Sequence, residues 1–269
     1  MQVVQLLVGF LFGAGTGYSA WRAQSLSASG AAAATVIGGL IFGLGGLSWA
    51  AVLLTFFISS SLLSKAFSRR KAAMGEKFAK GSVRDWQQVA ANGGLGALLA
   101  IAHAISGGEI WVWLAYCGTM AAVNADTWAT EIGVLSATPP RSIITMKRVE
   151  AGASGGVSVL GTLATMAGAG LIGLVGLAFV GMEAWAIFLA VVTAAGLGGS
   201  LIDSLLGATV QAIYYCPHDQ KETEQHPTHR CGNTTKHVRG WKWLNNDLVN
   251  LICSAAGAGL AAVLWATLG

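Results

Sequence analysis

Long apolar segments separated by clusters of basic residues constrain this chain more than any other feature. A helix needs about 20 mostly apolar residues to cross the hydrocarbon core of a bilayer. Segments of that kind run near Val3–Ala20, Ala31–Gly45, Leu47–Ser64, Val89–Ser106, Ile110–Thr130, Val157–Val180, Ala184–Ile213 and Leu248–Leu268. The fold class they predict is all-α: one polytopic membrane domain over residues 1–269, a helical bundle of about eight transmembrane helices. The second segment is short and interrupted by Gly43, Gly45 and Gly46. It therefore reads as a short or re-entrant span, and the distribution of charge disfavours one bent helix from Ala31 to Ser64.

Composition leaves little room for a soluble domain. Only 10% of the residues are charged, against roughly 25% in soluble proteins. The 37 Gly and 4 Pro fit helices that approach closely through small residues. Cys117 and Cys253 lie inside apolar spans, so the cysteines do not form a disulfide framework. Met1–Gly17 lacks a basic leader and reads as a first span rather than a signal peptide.

All 16 Lys and Arg fall at Arg22, in Lys65–Arg84, in Arg141–Arg148 and in Lys221–Lys242. With eight spans these lie on one side, while the opposite loops, Gly107–Glu109 and Gly181–Glu183, carry no base. Basic loops face the cytoplasm. The expected cytosolic loops are 65–88, 134–156 and 214–246, with both termini outside. The protein is then expected in a bacterial inner membrane or its organellar equivalent, with its functional end in the cytosol and with no nucleic-acid partner.

The acids mark a plane. Counted from the outer span ends, Asp126 and Asp203 reach the cytosolic edge, and Asp247 opens the last span from that same edge. Glu131 follows five residues after Asp126, and Asn92, Asn124, Asn246 and Asn250 lie near this level. Ionisable groups within spans are costly and face partners in the bundle interior. Asn124 and Glu131 share one helix face, and Asp126 and Thr130 share another.

This set suits phosphate chemistry. Mg²⁺ takes one or two carboxylates, water and substrate phosphate, so Asp126, Asp203 and Asp247 are the candidate ligands. Arg84, Arg141, Lys147 and Arg148 are candidates to hold phosphates. Gly152, Ser154, Gly155 and Gly156 precede a span, and glycine turns at helix starts let backbone N–H groups approach phosphate. No soluble-type P-loop pattern is present.

The run Asp126-Thr-Trp-Ala-Thr-Glu131-Ile-Gly133, followed by Arg141, Lys147 and Glu150-Ala-Gly152, resembles the nucleotide-binding region of CTP-dependent dolichol and phytol kinases. Ala151 separates the Glu and Gly that are adjacent in that pattern. More of the chain, from Lys65 to Asn250, is similar to an integral membrane family that includes plant phytyl-phosphate kinase. The segments that carry this likeness are Val83–Gly93, Asn124–Glu131, Gly199–Gly207 and Trp243–Asn250. The resemblance implies a membrane kinase converting a prenyl or phytyl monophosphate to the diphosphate with a nucleoside triphosphate, CTP favoured, and Mg²⁺. With that activity, the acids at the cytosolic edge, Asp126, Glu131, Asp203 and Asp247, are the expected catalytic residues, Asp126 lying in the kinase-like run.

The same family pattern has a Cys-x-x-Cys and a later His-x-Cys in the last loop. Here Cys216-Pro-His218-Asp219 replaces the first pair and His229-Arg-Cys231 keeps the second. Zn²⁺ accepts Cys, His and Asp, so Cys216, Asp219 or His218, His229 and Cys231 form a candidate zinc site. Two other readings use the same residues: a transporter or flippase for a lipid phosphate or small anion, and a lipid cytidylyltransferase. Transporter sites lie near the midplane between repeats, whereas these acids lie at one edge and no repeat is evident.

Overall fold

The computed structural model describes residues 2–67, 83–181 and 184–268. Most of the basic run after Lys65 and the outer-loop Glu183 lie outside the described residues. Among these there are seven helices: α1 (Gln2–Arg22), α2 (Ala28–Ala66), α3 (Trp86–Ser106), α4 (Ile110–Gly133), α5 (Val159–Leu177), α6 (Trp185–Thr209) and α7 (Asn246–Leu268). The protein is a nearly all-helical membrane bundle, as the apolar pattern predicts.

The helix starts carry ordinary capping chemistry. Ser27 and Ser158 accept the N–H of Gly30 at 3.1 Å and of Gly161 at 3.0 Å. Asp85 and Gln88 form a reciprocal capping box at the start of α3, satisfying two otherwise orphaned N–H donors.

Helix α2 reverses at Gly46, whose φ of 78° and ψ of −160° lie outside the helical region. That conformation is open to glycine and disfavoured for residues with a Cβ. Both ends of α2 therefore lie at one end of the bundle. Ser27 N–H donates to Arg84 O at 3.0 Å, and Lys65 Nζ donates to Ala23 O at 2.7 Å. The two arms match the predicted segments Ala31–Gly45 and Leu47–Ser64.

Among the described residues, six helices are long and apolar enough to cross a membrane, rather than about eight. The two arms of α2, joined through Gly46 with no loop between them, count as one 39-residue helix, and α4 loses apolarity where it carries Asn124, Asp126, Thr127, Thr130 and Glu131.

Helix α4 is the centre of the bundle: every residue from Val112 to Ala125 is buried. Its first half packs into an aromatic core. Trp49 stacks on Tyr116 with ring centroids 4.1 Å apart, and Tyr116 Oη donates to Trp49 O at 2.7 Å. Leu7, Leu11, Leu98, Ile105 and Leu163 are exposed, which is the expected outer surface of a bundle whose solvent is lipid.

Among the described residues, five short strands lie at the other end. β1 (Arg141–Ser142) pairs antiparallel with β2 (Gly156–Val157). β3 (Ile213–Cys216), β4 (Lys221–Thr223) and β5 (Lys236–Arg239) form an antiparallel sheet with β3 central. This sheet folds much of the predicted 214–246 loop, its first strand beginning one residue before it.

Candidate active site and metal cluster

The second half of α4 opens into a cavity of about 1180 Å³ at the end that carries the strands. Helical spacing explains its walls. Gln88 and Asn92 of α3 are four apart, as are Asn246 and Asn250 of α7. On α6, Ser200, Asp203, Ser204 and Gly207 follow the i, i+3, i+4, i+7 stripe of one face. Helix α4 adds Asp126, Thr127, Thr130 and Glu131.

The acids fall into two groups. Asp203 lies within the electrostatic reach of Asp126 and Glu224, and its Oδ2 is buried with no hydrogen-bond partner. A buried acceptor left without a donor requires an explanation, for which a bound ion is one. Glu131 is 3% exposed and accepts Ser64 Oγ at 2.7 Å. It faces Arg84, whose guanidinium is lowered by burial while the Glu131 charge raises it. Arg84 also donates from Nη1 to Ser61 Oγ at 3.1 Å.

The glycine turn closes another wall. Gly152, Ser154, Gly155 and Gly156 all line the cavity, with Arg148 and Glu150. Gly155 has φ +77°, and a Cβ there would overlap Ala208 of α6. This turn therefore meets α6 backbone to backbone. Ser158 caps α5 immediately afterwards, so the last part of the motif serves the helix start.

Several sequence-predicted residues stand elsewhere. Asn124 is fully buried among helices, donating to Gly168 O at 2.8 Å and accepting from Ser59 and Ser60. It fastens α2, α4 and α5 and does not line the cavity. Arg141 Nη1 donates to Met146 O at 2.9 Å within its own loop, and Lys147 is exposed. Neither lines the cavity, nor does Asp247. Asn246 and Asn250 take the cavity-facing positions on α7, and Asp247 lies one residue, about 100° of helix, round from Asn246.

Glu224 was not singled out by the sequence. It follows β4 and accepts Ser154 Oγ at 2.5 Å and Gln211 Nε2 at 2.8 Å. One carboxylate oxygen thus ties the glycine turn to the end of α6. No spacing pattern marks it, because sheet register in a polar loop brings it there.

A second polar cluster lies on the same sheet. One ligand atom each from Cys216, Asp219, His229 and Cys231 lies within 4.8 Å of the others. Cys216 Sγ and Cys231 Sγ are 3.5 Å apart, and His229 Nδ1 is 2.9 Å from Asp219 Oδ2. Two sulfurs at Zn–S lengths in a tetrahedron are roughly 3.8 Å apart, so the donor set and spacing fit zinc. Hydrogen bonds from Asn233 and His229 bring the Cys231 thiol down to about 7. Asp219 is held low by the hydrogen bond from His218. Of the two alternatives at that corner, Asp219 joins the cluster, and His218 contacts its other oxygen at 2.8 Å.

Comparison with known proteins identifies the family. The chain belongs to the integral membrane protein DUF92 family, which matches residues 11–258. It is 33% identical to Protein PGR of Arabidopsis thaliana over 87% of both chains. It is 30% identical to an uncharacterized membrane protein of Methanocaldococcus jannaschii, over 92% of this chain and 89% of that one. Protein VTE6, chloroplastic, of Arabidopsis thaliana is 27% identical over 89% of this chain and 65% of its own. These matches bear out the membrane-family resemblance read from the motifs. No solved structure matches the chain.

Proposed function

We propose that this protein is a membrane kinase that transfers the terminal phosphoryl group of a nucleoside triphosphate, CTP favoured, to a prenyl or phytyl monophosphate. The observation that carries the reading is the single cavity joining Asp126, Asp203, Arg84, Arg148 and the Gly152–Gly156 turn. Carboxylates, guanidinium groups and a glycine turn together are the parts that phosphoryl transfer uses for positioning and charge stabilisation. The family resemblance supplies the substrate class.

In this reading Arg148 and the turn hold the nucleotide phosphates, while Arg84 holds the lipid phosphate. Glu131, fixed by Ser64, orients Arg84. Glu224 holds Ser154 and hence the turn. An oxygen of the lipid phosphate forms the new bond to the terminal phosphorus as the bridging bond breaks, and nucleoside diphosphate leaves. The attacking oxygen is anionic near neutral pH, so no strong general base is required.

Asp126 and Asp203 would hold Mg²⁺, and the buried, partnerless Asp203 Oδ2 supports a cation there. When bound, the ion offsets charge on the transferring phosphoryl group. Cys216, Asp219, His229 and Cys231 would hold a structural Zn²⁺. The active end would face the cytosol, in a bacterial inner membrane or an organellar one; the word chloroplastic in the name of one relative is in keeping with the latter.

The test is to incubate purified protein in detergent with phytyl, geranylgeranyl or farnesyl monophosphate and CTP, ATP, GTP or UTP, then identify the products by mass spectrometry. A lipid diphosphate with nucleoside diphosphate is expected. A nucleotide-linked lipid with pyrophosphate would instead identify a cytidylyltransferase, and no lipid product at all would overturn the kinase reading.

A further inference from the structure

A second cavity, of about 620 Å³, runs between α1 and the second arm of α2. Its deeper part is apolar, with Leu11, Phe12, Leu54 and Ile58, and its end near the active site carries Ser61 and Lys65. This polarity matches a lipid phosphate lying with its chain in the bilayer and its head at the edge.

Arg84 joins the two cavities. It lines the acidic cavity, yet its Nη1 donates at 3.1 Å to Ser61 Oγ of the groove. Its guanidinium also stands 5.9 Å from the ring of Phe57, another groove residue. A phosphate held by Arg84 in the acidic cavity would therefore leave its hydrocarbon chain at the mouth of this groove.

We infer that the groove between α1 and α2 binds the prenyl chain of the lipid phosphate substrate, with Arg84 at the junction of chain and phosphate. The inference rests on the kinase reading for its substrate class. It makes the groove the element that measures chain length.

Gly15 lines the groove, and a Cβ added there meets nothing within 4 Å. Gly15→Leu therefore fills the groove without a backbone collision, and it replaces glycine by a better helix former. Gly259→Leu is the control: its Cβ is equally unobstructed, and it lines neither cavity. In the kinase assay Gly15→Leu should raise the KM for phytyl monophosphate by about tenfold or more, the effect of excluding chain from an apolar pocket. The KM for the five-carbon dimethylallyl monophosphate should stay unchanged, and Gly259→Leu should leave both unchanged. An unchanged phytyl KM, or an equal rise for both lipids, would overturn the groove assignment.

A binding measurement keeps this independent of turnover. A prenyl monophosphate bearing a diazirine at the chain terminus should label peptides from 11–25 and 54–65, and Gly15→Leu should suppress that labelling. Labelling confined to other helices would overturn the groove even in an active kinase. Labelling at the groove without phosphorylation would retain the lipid site and remove the kinase reading.

Discussion

Two polar clusters occupy the same end of this bundle and differ in almost every chemical respect. The cavity under α4 offers carboxylate oxygens, is bordered by Arg84 and Arg148, and has a volume of about 1180 Å³. The cluster on the β3 sheet offers two sulfurs, an imidazole and a carboxylate within 4.8 Å of one another. Hard oxygen donors with room for water and phosphate suit Mg²⁺, whereas a closed set containing thiolates suits structural zinc. In the proposed reading, the first cluster does the chemistry and the second supports it. The two meet at Glu224, which follows the strand paired with Cys216 and reaches the glycine turn.

The contrast breaks most sharply at the acids. Asp126→Asn keeps the shape of the side chain and removes its charge, so turnover should fall by about 10³-fold or more. Asp203→Asn should behave alike. Bound zinc, measured by elemental analysis, should not change in either. A loss of zinc would mean that the clusters are not separable.

The next largest effect is expected from the supporting side. Cys216→Ser should lose zinc, and turnover should fall by roughly 10–100-fold, the usual scale for a group that holds others in place. Glu224→Gln should cost turnover on a similar or smaller scale with zinc retained, because the amide still reaches Ser154 without its charge. If Cys216→Ser lost zinc with turnover intact, the sheet would not position the active site. The smallest effect belongs to Lys147→Ala. This exposed side chain should alter stability by no more than about 0.5 kcal/mol, with normal turnover.

Depth was legible in the sequence, and direction around a helix was less so. The fixed rise per residue converts position within a span to height, which brought Asp126 and Asp203 to one level. The same count could not decide which residue of Asn246, Asp247 and Asn250 faces the cavity, or that Asn124 turns into the core. The break at Gly46 was legible because consecutive glycines interrupt an apolar run. The number of lipid-crossing helices was not: Ile110–Thr130 reads as a span by its length, whereas α4 falls short in apolarity and is the most buried helix of the bundle. Glu224 arrives through strand pairing in a polar loop, where no hydrophobic period reports orientation. The cluster of Cys216, Asp219, His229 and Cys231 had the opposite fate: the likeness to the family's Cys-x-x-Cys and His-x-Cys pattern marked it, with residue types that zinc accepts.

The central claim is that the acidic cavity binds Mg²⁺ for phosphoryl transfer to a lipid phosphate. It is tested most directly by titrating Mg²⁺ into wild-type and Asp126→Asn protein with phytyl monophosphate and CTP, quantifying phytyl diphosphate. Wild-type protein should show saturable Mg²⁺-dependent product, and Asp126→Asn should show almost none at any Mg²⁺ concentration while keeping its fold and zinc. Near-normal product formation by Asp126→Asn at ordinary Mg²⁺ would contradict the account.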